Sequence, residues 1–179
     1  MTDCAEPSDG ALDRAAARIR EDEAVVYPTE TVYGLGADAT SPTAVERVFE
    51  LKGRDRSKPL SIGVDGVGAV RRHTRPSQRA RRFIRAFLPG PVTVVVERDP
   101  SLPDVLTAGR NRVGVRVPDH ETALSLFERV APIPVTATSA NRSGAPSVTH
   151  PDDLPAELRD AVAAVVDGGT TPGGGSTVV

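Results

Sequence analysis

Apolar positions along this chain alternate between a helical and a strand-like period through almost its whole length. Over 11–20, Ala15, Ala16 and Ile19 fall on one side of a predicted helix that Asp9 is placed to cap. Residues 24–28, AVVYP, form a short continuous apolar run of strand type. Ser41 followed by Pro42 is a helix start, and Val45, Val48, Phe49 and Lys52 share one face before Gly53 ends it. Residues 60–64 read as a strand. Pro76 opens a further helix in which Ala80, Phe83, Ile84, Phe87 and Leu88 keep helical spacing as far as Pro89-Gly90. Strands follow at 92–97 (VTVVVE) and 112–117 (RVGVRV). A helix over 121–130 turns Leu124, Phe127 and Val130 inward, and a strand at 133–138 runs into the polar loop SANRSGAPS. A short helix after Pro155 leads to the run 163–167 and then to GGTTPGGGS. Strands alternating with helices in this order predict one α/β domain around a mixed sheet, and no repeat or linker divides it.

Composition narrows the picture. A chain of 179 residues suits one sizeable domain. With 39% hydrophobic residues, 26% charged residues and a net charge of -2, it has an ordinary globular balance. No apolar run approaches the roughly 18 residues of a membrane span, and MTDCAEPSDG has neither the basic nor the apolar region of a signal peptide, so a cytoplasmic location is expected. Cys4 stands alone in a polar leader and cannot form an internal disulfide. His73, His120 and His150 are scattered, with no Cys or His pair at ligand spacing, so no metal site is predicted.

Charge usage is more informative than net charge. Of 22 cationic residues only Lys52 and Lys58 are lysines, and both lie in LKGRDRSKPL at the end of a predicted helix. A solvated loop near a helix C-terminus accounts for such cations at a few tenths of a kcal/mol each. A polyanion clamp accounts for the mixture: lysine is a compact point charge and arginine a planar fork, and together they suit a triphosphate. No G-x-x-x-x-G-K-[ST] is present, which excludes a P-loop. GLGADA mimics a dinucleotide fingerprint, but the helix that should begin there starts only at Ser41-Pro42.

Two further strand-end loops carry hydrogen-bonding side chains. YPTETVYGLGADA presents Thr29, Glu30, Thr31 and Tyr33, and TSANRSGAPS presents Ser139, Asn141, Ser143 and Ser147. Loops at strand ends are where α/β folds bind ligands, and neutral hydroxyls and amides can hold ribose or phosphate oxygens. The basic run 71–85, RRHTRPSQRARRFIR, reads as a solvated face, because the chain is net acidic and only 3% aromatic, which leaves few platforms for RNA bases.

Taken in order, PTETVYGLGADA, LKGRDRSKPL, FLPGPVTVVV, RVGVRVPDH, TSANRSGAPS, VVDGG and GGGSTVV resemble the YrdC-like family. The resemblance assigns 1–23 to a leader and first helix and 24–179 to the YrdC-like domain. It implies a twisted mixed sheet with flanking helices and a concave basic face. It implies a nucleotidyltransferase that converts L-threonine, bicarbonate or CO2, and ATP into threonylcarbamoyl-adenylate and pyrophosphate. That product would serve threonylcarbamoyladenosine modification of tRNA through a separate transfer enzyme. Magnesium would come with the ATP phosphates, and no prosthetic group is implied. Lys52 and Arg54 match the family's K-x-R signature and carry the catalytic expectation. Ser139 and Asn141 match its S-x-N signature, and with Lys58 and Ser147 they complete the ATP set. Thr31, Tyr33, Thr107 and Ser176 form the threonine set. Gly63 stands where relatives often carry histidine, and the chain stops at Val179, where many relatives continue through another strand. A carbamoyl-transfer domain of hydrogenase-maturation type and a non-catalytic RNA-binding module of the same fold are the alternatives.

Overall fold

The computed structural model describes residues 7–179, so Cys4 lies outside the described residues. Helix α1 (Asp9–Arg20) is capped by Ser8, whose Oγ accepts from the Ala11 amide, and not by Asp9, which instead places a negative charge in the first turn. Strand β1 (Val25–Tyr27) pairs antiparallel with β2 (Gly34–Gly36). The second strand has no alternating pattern and was legible only as a loop. Its glycines are required by packing: a Cβ at Gly34 would lie 2.7 Å from the Tyr27 ring, and one at Gly36 2.5 Å from Val135.

Helix α2 (Pro42–Lys52) begins and ends as its sequence predicts, with the Ser41 hydroxyl at one end and Gly53 in the left-handed region (φ 55°) at the other. Strand β3 (Ser61–Gly63) is followed by the short α3 (Val70–His73) and by α4 (Gln78–Phe87). The cap of α4 is Ser77, one residue beyond Pro76. Within α4 only Ile84 is buried, while Phe87 is 53% exposed. Then come β4 (Val92–Glu97), α5 (Asp104–Thr107), β5 (Arg112–Arg116) and α6 (Glu121–Val130). Helix α6 buries Ala123, Leu126, Phe127 and Val130, whereas Leu124, expected inside, is half-buried. Strand β6 (Val135–Ser139), α7 (Ala156–Ala161), β7 (Ala164–Val165) and β8 (Thr177–Val178) complete the chain.

The eight strands form one mixed sheet in the order β7-β1-β2-β6-β3-β5-β4-β8. Strand alternation gives it two covered faces: Val26 joins the larger core with Val45, Val48 and Phe49 of α2, while Val25 and Tyr27 join a second core with Ile19 of α1 and Phe127 of α6. Because β2 pairs with β6, Gly34 lies opposite Ser139, and the loop after β1 is brought beside the loop after β6. Among the described residues no helix is long and apolar enough to cross a membrane.

Candidate functional site

That pairing makes a cleft of about 200 Å³ at the strand ends. Thr29, Thr31, Thr138, Ser139, Ser147 and Ser176 line it with hydroxyls, and Arg116 enters from the end of β5. The glycine-rich C-terminal stretch forms one wall. The Gly173 amide donates to the Thr31 carbonyl at 2.7 Å. The Tyr33 hydroxyl donates to the Gly169 carbonyl at 2.7 Å and accepts from the Gly168 amide at 3.0 Å. Tyr33 therefore anchors the segment that carries Ser176.

A directed chain of hydrogen bonds orders the floor. Arg116 Nη2 donates to Glu30 Oε1 at 2.8 Å and to Thr31 Oγ1 at 3.1 Å. Thr29 Oγ1 spends its proton on the Val32 carbonyl at 2.6 Å, so in its 3.1 Å contact with Thr31 Oγ1 it is the acceptor. Arg116 Nε and Glu30 Oε2 are both buried without a protein partner. Buried polar atoms of this kind are rare, and here they mark one donor (Arg116 Nε) and one acceptor (Glu30 Oε2) held ready beside a cleft. His120 adjoins this cluster: its Nδ1 is buried and unpaired, and burial holds the imidazole below its ordinary range against the opposing pull of Glu30.

Behind Ser139 lies Lys52, 2% exposed. Its Nζ donates to the carbonyls of Ser139 (2.6 Å) and Asn141 (2.8 Å) and to Asn141 Oδ1 (3.0 Å), which takes all three ammonium protons. Asn141 is held further by Ser139 Oγ, which donates to its Oδ1 at 2.5 Å, and by the Ala145 carbonyl, which accepts from its Nδ2 at 2.6 Å. Burial, and secondarily the Arg54 guanidinium, pushes the Lys52 pKa down to about 8. Arg54 shapes the next loop by donating to the carbonyls of Lys58 and Pro59, both at 3.0 Å, and Lys58 itself is exposed.

The expected site residues thus fall into groups. Thr31, Tyr33, Ser139, Ser147 and Ser176 line the cleft. Lys52 and Asn141 brace it from behind, while Arg54 and Lys58 lie on the neighbouring loop. Thr107 is fully buried on α5 with an unpaired Oγ1 and is not among the cleft walls.

Sequence reasoning missed Arg116 and Phe127. For Arg116 a signal existed: in RVGVRV the valines at 113, 115 and 117 take one face, which leaves a cation on the opposite face of an interior strand. Phe127 left none. Its ring packs edge-on against Tyr27 (centroids 5.3 Å, 70°) and reaches the cleft because Gly63 has no side chain. A Cβ at Gly63 would lie 2.6 Å from Phe127 Cε2. Gly63→Ala should therefore destabilise the fold by about 1–3 kcal/mol through overpacking, read as a lower midpoint in thermal unfolding. An unchanged midpoint would show that the ring is free to move aside.

Among the described residues, no group of three or more His, Cys, Asp or Glu is arranged to hold a metal ion. The profile of the Sua5/YciO/YrdC family, described as telomere recombination, matches residues 17–179. Threonylcarbamoyl-AMP synthase of Bacillus subtilis is 39% identical over 176 residues, covering 96% of this chain and 50% of that protein. The crystal structure of Pyrococcus abyssi Sua5 complexed with L-threonine superposes with a TM-score of 0.88 at 40% identity, over 93% of this chain and 49% of that one. E. coli YciO, at 22% identity, shares the fold with a TM-score of 0.87, over 97% of this chain and 84% of that one. This chain spans about half the length of the first two of these.

Proposed function

The chain belongs to the Sua5/YciO/YrdC family, and from that premise we propose that it forms threonylcarbamoyl-adenylate and pyrophosphate from L-threonine, bicarbonate or CO2, and ATP. The observation that carries the proposal is the half-buried Arg116, whose Nε is buried and unpartnered, facing a hydroxyl-lined cleft beside the Ser139–Asn141 loop. A guanidinium in that setting suits the carboxylate of an amino acid, and Thr31 and Ser176 offer partners for its hydroxyl. The cleft of about 200 Å³ is small beside the roughly 300–1,000 Å³ of drug-sized ligand pockets, which fits an amino acid. The nucleotide would extend past Ser139 and Ser147 toward Arg54 and Lys58.

The chemistry asks for alignment more than for a nucleophile. The threonine amine and bicarbonate condense to a carbamate with loss of water. A carbamate oxygen then attacks the α-phosphate as the bond to pyrophosphate breaks. Charge gathers on phosphate oxygens, so fixed cations and oriented hydroxyls supply most of the catalysis. Magnesium would enter with the phosphates, held mainly by them and by water. The product would pass, in the cytoplasm, to a separate enzyme that modifies tRNA.

Pyrophosphate release tests the reading. It should require ATP, L-threonine and bicarbonate together. Serine, one methyl shorter, should be about 10- to 200-fold poorer, and valine, which leaves the hydroxyl's partners unpaired, at least as poor. Release that ignores threonine would sink the reading.

A further inference from the structure

Residues 66–96 contain seven arginines and no aspartate or glutamate, in a chain whose net charge is -2. Two of the seven are neutralised from outside the segment: Arg72 by Asp65 at 3.4 Å and Arg75 by Asp99 at 3.2 Å. No carboxylate among the described residues pairs with Arg71, Arg79, Arg81, Arg82 or Arg85. Four of these five lie on α4, where Arg79 and Arg82, Arg82 and Arg85, and Arg81 and Arg85 are neighbours at helical spacing. Like charges at those spacings repel, and α4 has no acidic residue to relieve them. A merely solvated helix face normally mixes signs; this one keeps a standing repulsion that an anionic partner would remove.

Two structural features point to the kind of anion. A groove of about 250 Å³ has Val67, Val70 and Ile84 as its floor and Arg71, Arg81 and Arg85 at its rim. On the same helix, Phe83 and Phe87 are stacked with ring centroids 4.4 Å apart and 31° between planes, and Phe87 is 53% exposed. Two of the chain's four phenylalanines thus form an aromatic step among unpaired guanidiniums. That combination, cations for phosphates and an open ring for a base, is how single strands are held without sequence reading.

We propose that the α3–α4 surface docks single-stranded RNA, with Arg79, Arg82 and Arg85 on phosphates and Phe87 stacking on a base. It shares no residue with the catalytic cleft. The preference for RNA over DNA rests on the tRNA-directed reading above, while the binding itself does not.

The test is fluorescence anisotropy with a labelled RNA of about 12 nucleotides. A deoxy oligonucleotide of the same sequence and polyglutamate serve as comparisons, and pyrophosphate release is assayed on the same preparation. With three to five phosphate contacts, RNA affinity should fall roughly 20- to 100-fold between about 50 and 200 mM salt. Arg79→Gln/Arg82→Gln/Arg85→Gln should weaken binding at least about tenfold and flatten the salt slope by about 2. Phe87→Ala should weaken it about five- to 100-fold and leave the slope unchanged. All of these side chains are exposed, so circular dichroism and pyrophosphate release should stay at the parent level. The proposal is overturned by absent RNA binding at low salt, by binding that neither variant alters, or by polyglutamate competing as well as RNA, which would indicate an acidic protein partner. Equal affinity for the deoxy strand would overturn the RNA preference. A preparation that releases pyrophosphate but binds no RNA sinks this surface alone; one that binds RNA here and releases none sinks the synthase reading alone.

Discussion

Lys52→Met should cost both stability and pyrophosphate release, for separable reasons. Without the ammonium, the Ser139 carbonyl, the Asn141 carbonyl and Asn141 Oδ1 lose their common donor in a buried place. The Ser139 carbonyl keeps the Asn141 amide and Asn141 Oδ1 keeps the Ser139 hydroxyl, so only the Asn141 carbonyl is orphaned. That orphan and the two other lost charge-assisted bonds give an expected net loss of about 2–4 kcal/mol. For a domain of this size that lowers the melting temperature by roughly 5–15 °C. Pyrophosphate release should fall about 30- to 800-fold, because Ser139 and the loop to Ser147 lose the brace that aims them into the cleft.

The pH dependence separates bracing from simple packing. The Lys52 pKa is lowered from 10.5 to about 8, so between those values the native state sheds a proton that the unfolded chain keeps. The cost of burying this charge is therefore present in full below about pH 8, is relieved as pH rises, and is gone above 10.5, so stability climbs across that window. Activity should move the other way, falling above about pH 8 as one of the three N–H donors is lost. Parallel pH profiles of melting temperature and of kcat/KM check this. A falling limb that survives in Lys52→Met would assign the titration to another group.

The parts of this architecture that were legible in advance share a physical property: their signals are local. Ser41-Pro42 and Gly53 bound α2 because caps act within one turn, and the hydroxyl loops stood out because Thr29 to Tyr33 and Ser139 to Ser147 follow short apolar runs. What escaped was set by contacts distant in sequence. Strand β2 exists because the Tyr27 ring covers Gly34 and Gly36 and because β6, about a hundred residues later, pairs beside it. Lys52 stood out as one of only two lysines, but nothing local distinguishes an ammonium facing phosphate from one facing carbonyls 87 and 89 positions away. Phe87 kept helical spacing with Ile84, and only the packing of α4 shows that its ring lies outside.

Arg116 admits the sharpest division between folding and function. Its side chain and that of Glu30 are 14% and 15% exposed, and they meet at 2.8 Å. Arg116→Met would leave the mostly buried Glu30 carboxylate without its partner, a change of at most about 3–5 kcal/mol. Lost stability would then by itself reduce the amount of active protein and obscure any binding role. The double variant Arg116→Met/Glu30→Gln removes both charges and should recover most of the melting temperature, since replacing a whole buried pair is far milder than breaking it. If Arg116 holds the amino-acid carboxylate, the recovery will stop there: threonine KM should remain raised by at least about 30-fold, the equivalent of about 2 kcal/mol, with KM for ATP little changed. A double variant that regains parental threonine KM would make Arg116 a structural partner of Glu30 and would move the carboxylate site elsewhere in the cleft.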